Sequence, residues 1–166
     1  MRFLLVAAAA LPLIAESIAG LKWTTPAGWK NDGQARPMRA ATYIVPGDAE
    51  CVVYFFGAGQ GGSVQANLDR WKAQMLGPGG KPAEAQINKR TVHGLPVTTV
   101  DSSGDYTGMG GPMAASKTTQ KGYRMIGAII EGPGGNVFIK FTGSAKIVTA
   151  NQQKFDQLVN SFDKEH

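Results

Sequence analysis

A chain of 166 residues carrying 17 basic and 12 acidic side chains has a net charge of +5, and its length suits one domain with a real core, leaving little room for a second. One cysteine, Cys51, excludes an intramolecular disulfide, so the fold must stand on its packing. The basic residues are scattered, Lys89-Arg90 being the sole adjacent pair, which excludes the basic stripe that nucleic-acid binding requires and reads as ordinary solubility.

Residues 3–15, FLLVAAAALPLIA, are uncharged and almost wholly apolar, follow Met1-Arg2 and stop at Glu16. A spanning helix takes about twenty apolar residues, so this run is too short to cross a membrane and has the form of a signal h-region. Ser17-Ile18-Ala19 then places small residues at the two positions a signal peptidase reads. The pattern predicts a cleavable leader over residues 1–19, a cut between Ala19 and Gly20, and a single domain over residues 20–166 that works in the periplasm or outside the cell. Cys51 lies too far downstream to carry a lipid anchor at the new N-terminus, and no transmembrane segment remains after cleavage.

In the domain itself, residues 21–24 and 29–30 flank the turn Thr25-Pro26-Ala27-Gly28 and predict a short hairpin. Residues 40–45 form a strand, Pro46-Gly47-Asp48 turns the chain, and residues 51–56, CVVYFF, are apolar on both faces as a central strand should be. After a glycine-rich loop, Ser63 is placed to cap a helix whose Val64, Leu68, Trp71 and Met75 fall at i, i+4, i+7 and i+11. Gly77-Pro78 stops it. Residues 87–92 and the segment from Leu95 toward Tyr106 alternate around His93-Gly94 and read as a second hairpin. Residues 123–130 and 137–142 make a third, joined by Glu131-Gly132-Pro133-Gly134-Gly135-Asn136. Near the end, Thr149 and Gln152 fit a capping box ahead of the stripe Phe155, Leu158, Val159 and Phe162. The expected fold is therefore α+β, an antiparallel sheet of about six or seven strands built from hairpins with two main helices packed on it.

The opening Leu21-Lys22-Trp23-Thr24-Thr25-Pro26-Ala27-Gly28-Trp29-Lys30 resembles the short strand, turn and Trp at the start of PsbP-like and Mog1-like domains. The late hairpin that leads into a final helix ending Val159-Asn160-Ser161-Phe162 is similar to the end of that fold, and uncharacterised bacterial exported proteins share the architecture. The resemblance implies a non-catalytic role. PsbP is an extrinsic subunit that helps photosystem II retain inorganic cofactors, and Mog1 binds a small GTPase; neither role transfers by residue.

Several motifs invite chemistry. Gly57-Ala58-Gly59-Gln60-Gly61-Gly62 spells GxGxxG, but a dinucleotide site needs a parallel βαβ return with an acidic residue about twenty positions on, and this helix runs instead into Gly77-Pro78-Gly79-Gly80. No cofactor is expected. Asp101 and Asp105 lie four apart and share a strand face only if no bulge intervenes; they could bind a cation or pair with Arg124. With Tyr106 and the loop methionines Met109 and Met113, these residues are the candidate ligand-binding set. The leading expectation is an exported binding or accessory domain that contacts a protein or envelope component. One alternative is a small hydrolase or transferase built from Asp101, Asp105 and His93, and another is Cu(I) binding through the thioethers of Met109 and Met113 on residues 108–116.

Overall fold

A computed structural model of the chain describes residues 15–108 and 119–166, so Met109 and Met113 lie outside the described residues. Strands β1 (Ala15–Ile18) and β2 (Leu21–Thr24) open the fold, followed by β3 (Lys30–Asn31), β4 (Arg39–Val45) and β5 (Ala49–Tyr54). Helix α1 (Val64–Ala73) and the short β6 (Met75–Leu76) lead to the hairpin of β7 (Ala85–Val92) and β8 (Leu95–Tyr106). Strands β9 (Gln120–Gly132) and β10 (Gly135–Ser144) form the longest hairpin. Helices α2 (Ala145–Ala150) and α3 (Gln152–Asn160) and a last strand, β11 (Asp163–Lys164), complete the chain.

The main sheet has eight strands in the order β3-β4-β5-β10-β9-β8-β6, with β7 sharing the outer edge of β8, and each described pairing is antiparallel. This is the expected α+β architecture. The extra strands are two-residue edge pieces, too short to show a period. A second sheet of three strands, β1-β2-β11, stands apart. The expected hairpin between residues 21–24 and 29–30 does not form: β2 takes β1 and β11 as partners, and β3 pairs with β4. Residues 15–18, inside the stretch that reads as a leader, thus have a place in the fold.

Alternation divides the core in two. Val137, Ile139 and Phe141 of β10 point with Cys51 and Val53 of β5 toward α2, α3 and the small sheet, where they meet Trp23, Trp29, Phe155, Leu158, Val159 and Phe162. The two ends of the chain that resemble PsbP-like domains come together there. Trp23 stacks on Phe162 at 5.0 Å, and Ser161 Oγ accepts the Thr24 N–H at 3.0 Å. Cys51 is fully buried in this layer, and desolvation raises its thiol well above the ordinary range.

Phe138 of β10 and Ile129 of β9 face the other way and pack with Leu68, Trp71 and Met75 from α1 and β6. Ser63 caps α1 as its sequence predicts, accepting the Ala66 N–H at 3.1 Å. Gly127 lets the helix approach: a Cβ there would sit 2.3 Å from a Trp71 ring carbon. No described helix is long and apolar enough to cross a membrane.

Candidate functional site

Helix α1 covers part of its sheet face, and beyond the helix the face is open over β4, β5 and β10. The register places Lys140 of β10 opposite Val52 of β5 and Gly127 of β9, and Thr142 opposite Glu50. In the run Val137-Phe138-Ile139-Lys140-Phe141 the period of two turns Lys140 to the α1 side. Here it is 4 % exposed, at the floor of a cavity of about 320 Å³ whose walls include Met38, Arg39, Glu50, Tyr54 and Tyr106.

The lysine is held closely. Its Nζ donates to Gln74 Oε1 at 2.5 Å and to Tyr106 Oη at 2.8 Å, and it lies 4.9 Å from the centre of the Tyr106 ring. Gln74 is the C-cap of α1, so the end of the helix fixes the acceptor. Its carbonyl in turn receives the Thr107 N–H at 2.9 Å and the Thr107 hydroxyl at 3.2 Å, tying the end of β8 to the same spot. Tyr106 stacks on Tyr123, and Tyr54 on Phe56, which sets the aromatic walls. Arg39 lies over the Tyr54 ring at 5.6 Å and meets Glu50 at 3.6 Å.

Among the described residues no carboxylate comes within ion-pair distance of Lys140. A cation with so little water and no counter-charge is disfavoured. Burial accordingly lowers the Lys140 ammonium from 10.5 to about 7, with Glu50 opposing and Arg70 assisting. Burial also pushes the Tyr106 phenol up to about 12. A donor of adjustable charge at the bottom of an aromatic slot is equipped to hold an acceptor group on an apolar ligand.

Of the candidate residues read from the sequence, Tyr106 belongs to this cavity. Asp101 and Arg124 meet elsewhere, in a two-pronged ion pair, Nη2 to Oδ2 at 2.7 Å and Nε to Oδ1 at 3.0 Å. Arg124 also donates to Thr149 Oγ1 at 3.0 Å and Gln152 Oε1 at 2.9 Å. The expected capping box is corrected by this contact: its two residues receive the arginine instead, and α3 starts after a break at Asn151 without a side-chain cap. The bond to Asp101 raises the Arg124 guanidinium further above its ordinary value. An open depression of about 540 Å³ adjoins the pair, but its charges already answer one another, so it reads as a tie between sheet and terminal helices.

Asp105 accepts the Gly122 N–H at 3.3 Å, beyond a register slip between Gly104 and Tyr106. Asp101 and Asp105 thus answer different partners, Arg124 and Gly122. His93 sits in the β7–β8 turn with φ +46° and its Nδ1 2.8 Å from the Phe162 carbonyl, eight residues along from Asp101, roughly 26 Å of extended strand. The hydrolase alternative loses its constellation. The GxGxxG loop follows β5, whose neighbours are antiparallel, so no βαβ return exists. Its Gly61 makes way for aromatic packing, since a Cβ there would lie 2.7 Å from Phe56 and 3.0 Å from Phe138.

Lys140, Gln74, Arg39, Glu50 and Tyr54 were not legible as a site. The one local signal is a lysine inside VFIKF, where a strand buried on both faces has no reason to carry a charge.

The architecture is an α+β fold similar to that of PsbP. Cyanobacterial PsbP (CyanoP) from Synechocystis has this architecture: it superposes with a TM-score of 0.56 at 12 % identity, over 99 % of this chain and 98 % of that one. A protein of unknown function from Pseudomonas aeruginosa, PA94, matches with a TM-score of 0.50 at 12 % identity, over 93 % of this chain and 98 % of its own. No family model and no curated protein matches the sequence. At such identities the likeness concerns the fold.

Proposed function

We propose that the chain is an exported, non-catalytic binding or accessory domain whose binding surface is the open sheet face around Lys140. One observation carries the reading: a lysine 4 % exposed, without a carboxylate partner among the described residues, forms the floor of an aromatic-walled cavity on a face that the helices leave uncovered. Export rests on the leader pattern of residues 1–19, and the non-catalytic character is supported by the PsbP-like fold and by the separation of His93 from Asp101. The partner is a protein or a component of the cell envelope.

Capture from envelope extract tests this. Immobilised wild type is compared with Tyr54→Asp, which puts a charge into the cavity wall, and the reading requires a component retained by the first and lost by the second. Equal retention by both refutes the site. Fractionation of cells expressing the full chain tests export, which fails if the protein stays in the cytoplasm at its full mass.

A further inference from the structure

Resting on that reading and deepening it, we propose that the Lys140 cavity recognises a small monocarboxylic acid with a planar apolar body, its carboxylate on Lys140 Nζ and its ring between Tyr54 and Tyr106. The volume, about 320 Å³, lies at the small end of ligand sites and excludes a large cofactor. The walls are aromatic and Met38 stands 61 % exposed at the rim, which suits a flat apolar group. Charge then selects the polar end. Facing Lys140 are Glu50 and Tyr54 from β5, Arg39 from β4, Arg70 and Gln74 from α1, and Tyr106 from β8. Arg39 answers Glu50, and the remaining surplus is positive. Gln74 and Tyr106 occupy two donor positions of the ammonium, and an ammonium has three. A carboxylate supplies both the third acceptor and the missing negative charge, and a charge-assisted bond of that kind is stronger in a site with little water.

The probes are phenylacetate and phenylacetamide, which share a shape and differ in charge, titrated into the full-length protein by calorimetry and by NMR of the cavity residues. Phenylacetate binds at least tenfold tighter than the amide near pH 6.5, and the preference vanishes in Lys140→Met. Because the ammonium titrates near 7, binding above that pH must take up a proton, so affinity falls roughly twentyfold from about pH 6.5 to about pH 8.5. Equal binding of acid and amide overturns the carboxylate assignment while leaving a binding face in place. Absence of any shift in the cavity with either probe overturns it too, and the envelope capture then decides separately whether the face binds anything larger.

A different observation carries a second inference. Glu16 accepts from Asn31 Nδ2 at 2.9 and 3.1 Å, from Tyr43 Oη at 3.1 Å and from Thr25 Oγ1 at 3.3 Å, and β1 pairs with β2 over four residues. Ala19 and Gly20 form the turn of that hairpin with φ +54° and +76°. The Gly20 carbonyl accepts from Glu165, and a Cβ on Gly134 would lie 2.4 Å from the Ala19 carbonyl. Hydrolysis between Ala19 and Gly20 would discard an edge strand and, with it, the Glu16 carboxylate that Asn31, Tyr43 and Thr25 hold. We infer that the leader peptidase adds water across a bond at or before Ala15-Glu16, so that the exported domain keeps Glu16. The intact mass of protein recovered from the exported fraction of cells expressing the full chain decides it: a mass that includes Glu16 but lacks the apolar run is expected. A chain beginning at Gly20, or one uncut at Met1, overturns the inference.

Discussion

Replacing Lys140 by methionine keeps most of the side chain's length and removes its charge. In the unfolded chain the amine titrates near 10.5 and in the folded chain near 7, so between these values the unfolded state holds more protons and stability rises with pH. The burden of the buried cation is fully present below about pH 6 and disappears as pH climbs toward 10.5. At about 1.4 kcal/mol per pH unit the whole span amounts to roughly 5 kcal/mol. Between about pH 6.5 and about pH 8.5 the gain is about 2 kcal/mol. Higher pH is best avoided, because the raised thiol of Cys51 and phenol of Tyr106 favour unfolding once their unfolded-state counterparts ionise. Denaturant unfolding at the two pH values measures the effect as a shift in midpoint at constant slope. Lys140→Met should lose this pH dependence and be more stable than wild type near pH 6.5, because the relieved burden of roughly 5 kcal/mol exceeds the about 1–3 kcal/mol for leaving Gln74 Oε1 without its donor. A wild type whose stability does not rise over that interval, or a variant that keeps the rise, refutes the account of Lys140 as a desolvated cation.

Further outcomes follow from the same geometry. Glu16→Ala in the exported protein should cost about 2 kcal/mol, the value of bonds to a charged acceptor, and a variant of unchanged stability would show that Glu16 is absent from the mature domain. Gly127→Ala drives a methyl into the Trp71 ring, with an expected loss of about 1–3 kcal/mol and altered tryptophan fluorescence; an unperturbed spectrum would contradict the packing of α1. Asp101→Asn weakens a partly buried pair, for which about 1 kcal/mol is expected by thermal unfolding, and phenylacetate affinity should not move. Cys51 should resist a thiol reagent in the native protein and react on unfolding, and rapid native labelling would place it outside the core.

Elements held together by neighbours in sequence were the legible ones. The β7–β8 hairpin announces itself by alternation around His93-Gly94, and Ser63 caps α1 from three residues away. Thr149 and Gln152 match a capping pattern equally well, yet their oxygens go to Arg124, about 25 residues back in the chain, and no local rule contains that competitor. Strand β1 is hidden for a related reason: the apolar run before it dominates the reading of the first nineteen residues, while its own partners, Tyr43 and Asn31, are brought to it by the fold. The cavity is the extreme case. Its residues come from β4, β5, α1, β8 and β10, and each alone is an unremarkable Arg, Glu, Tyr, Gln or Lys.

The small sheet bears on the order of events during synthesis. Its middle strand β2 lies near the beginning of the domain, yet Leu21 pairs with Lys164, two residues from the C-terminus, and Trp23 stacks on Phe162. Contacts between such distant positions form late, since the whole intervening chain must first be available. A nascent chain therefore cannot close this layer until residues 163 and 164 of β11 have left the ribosome.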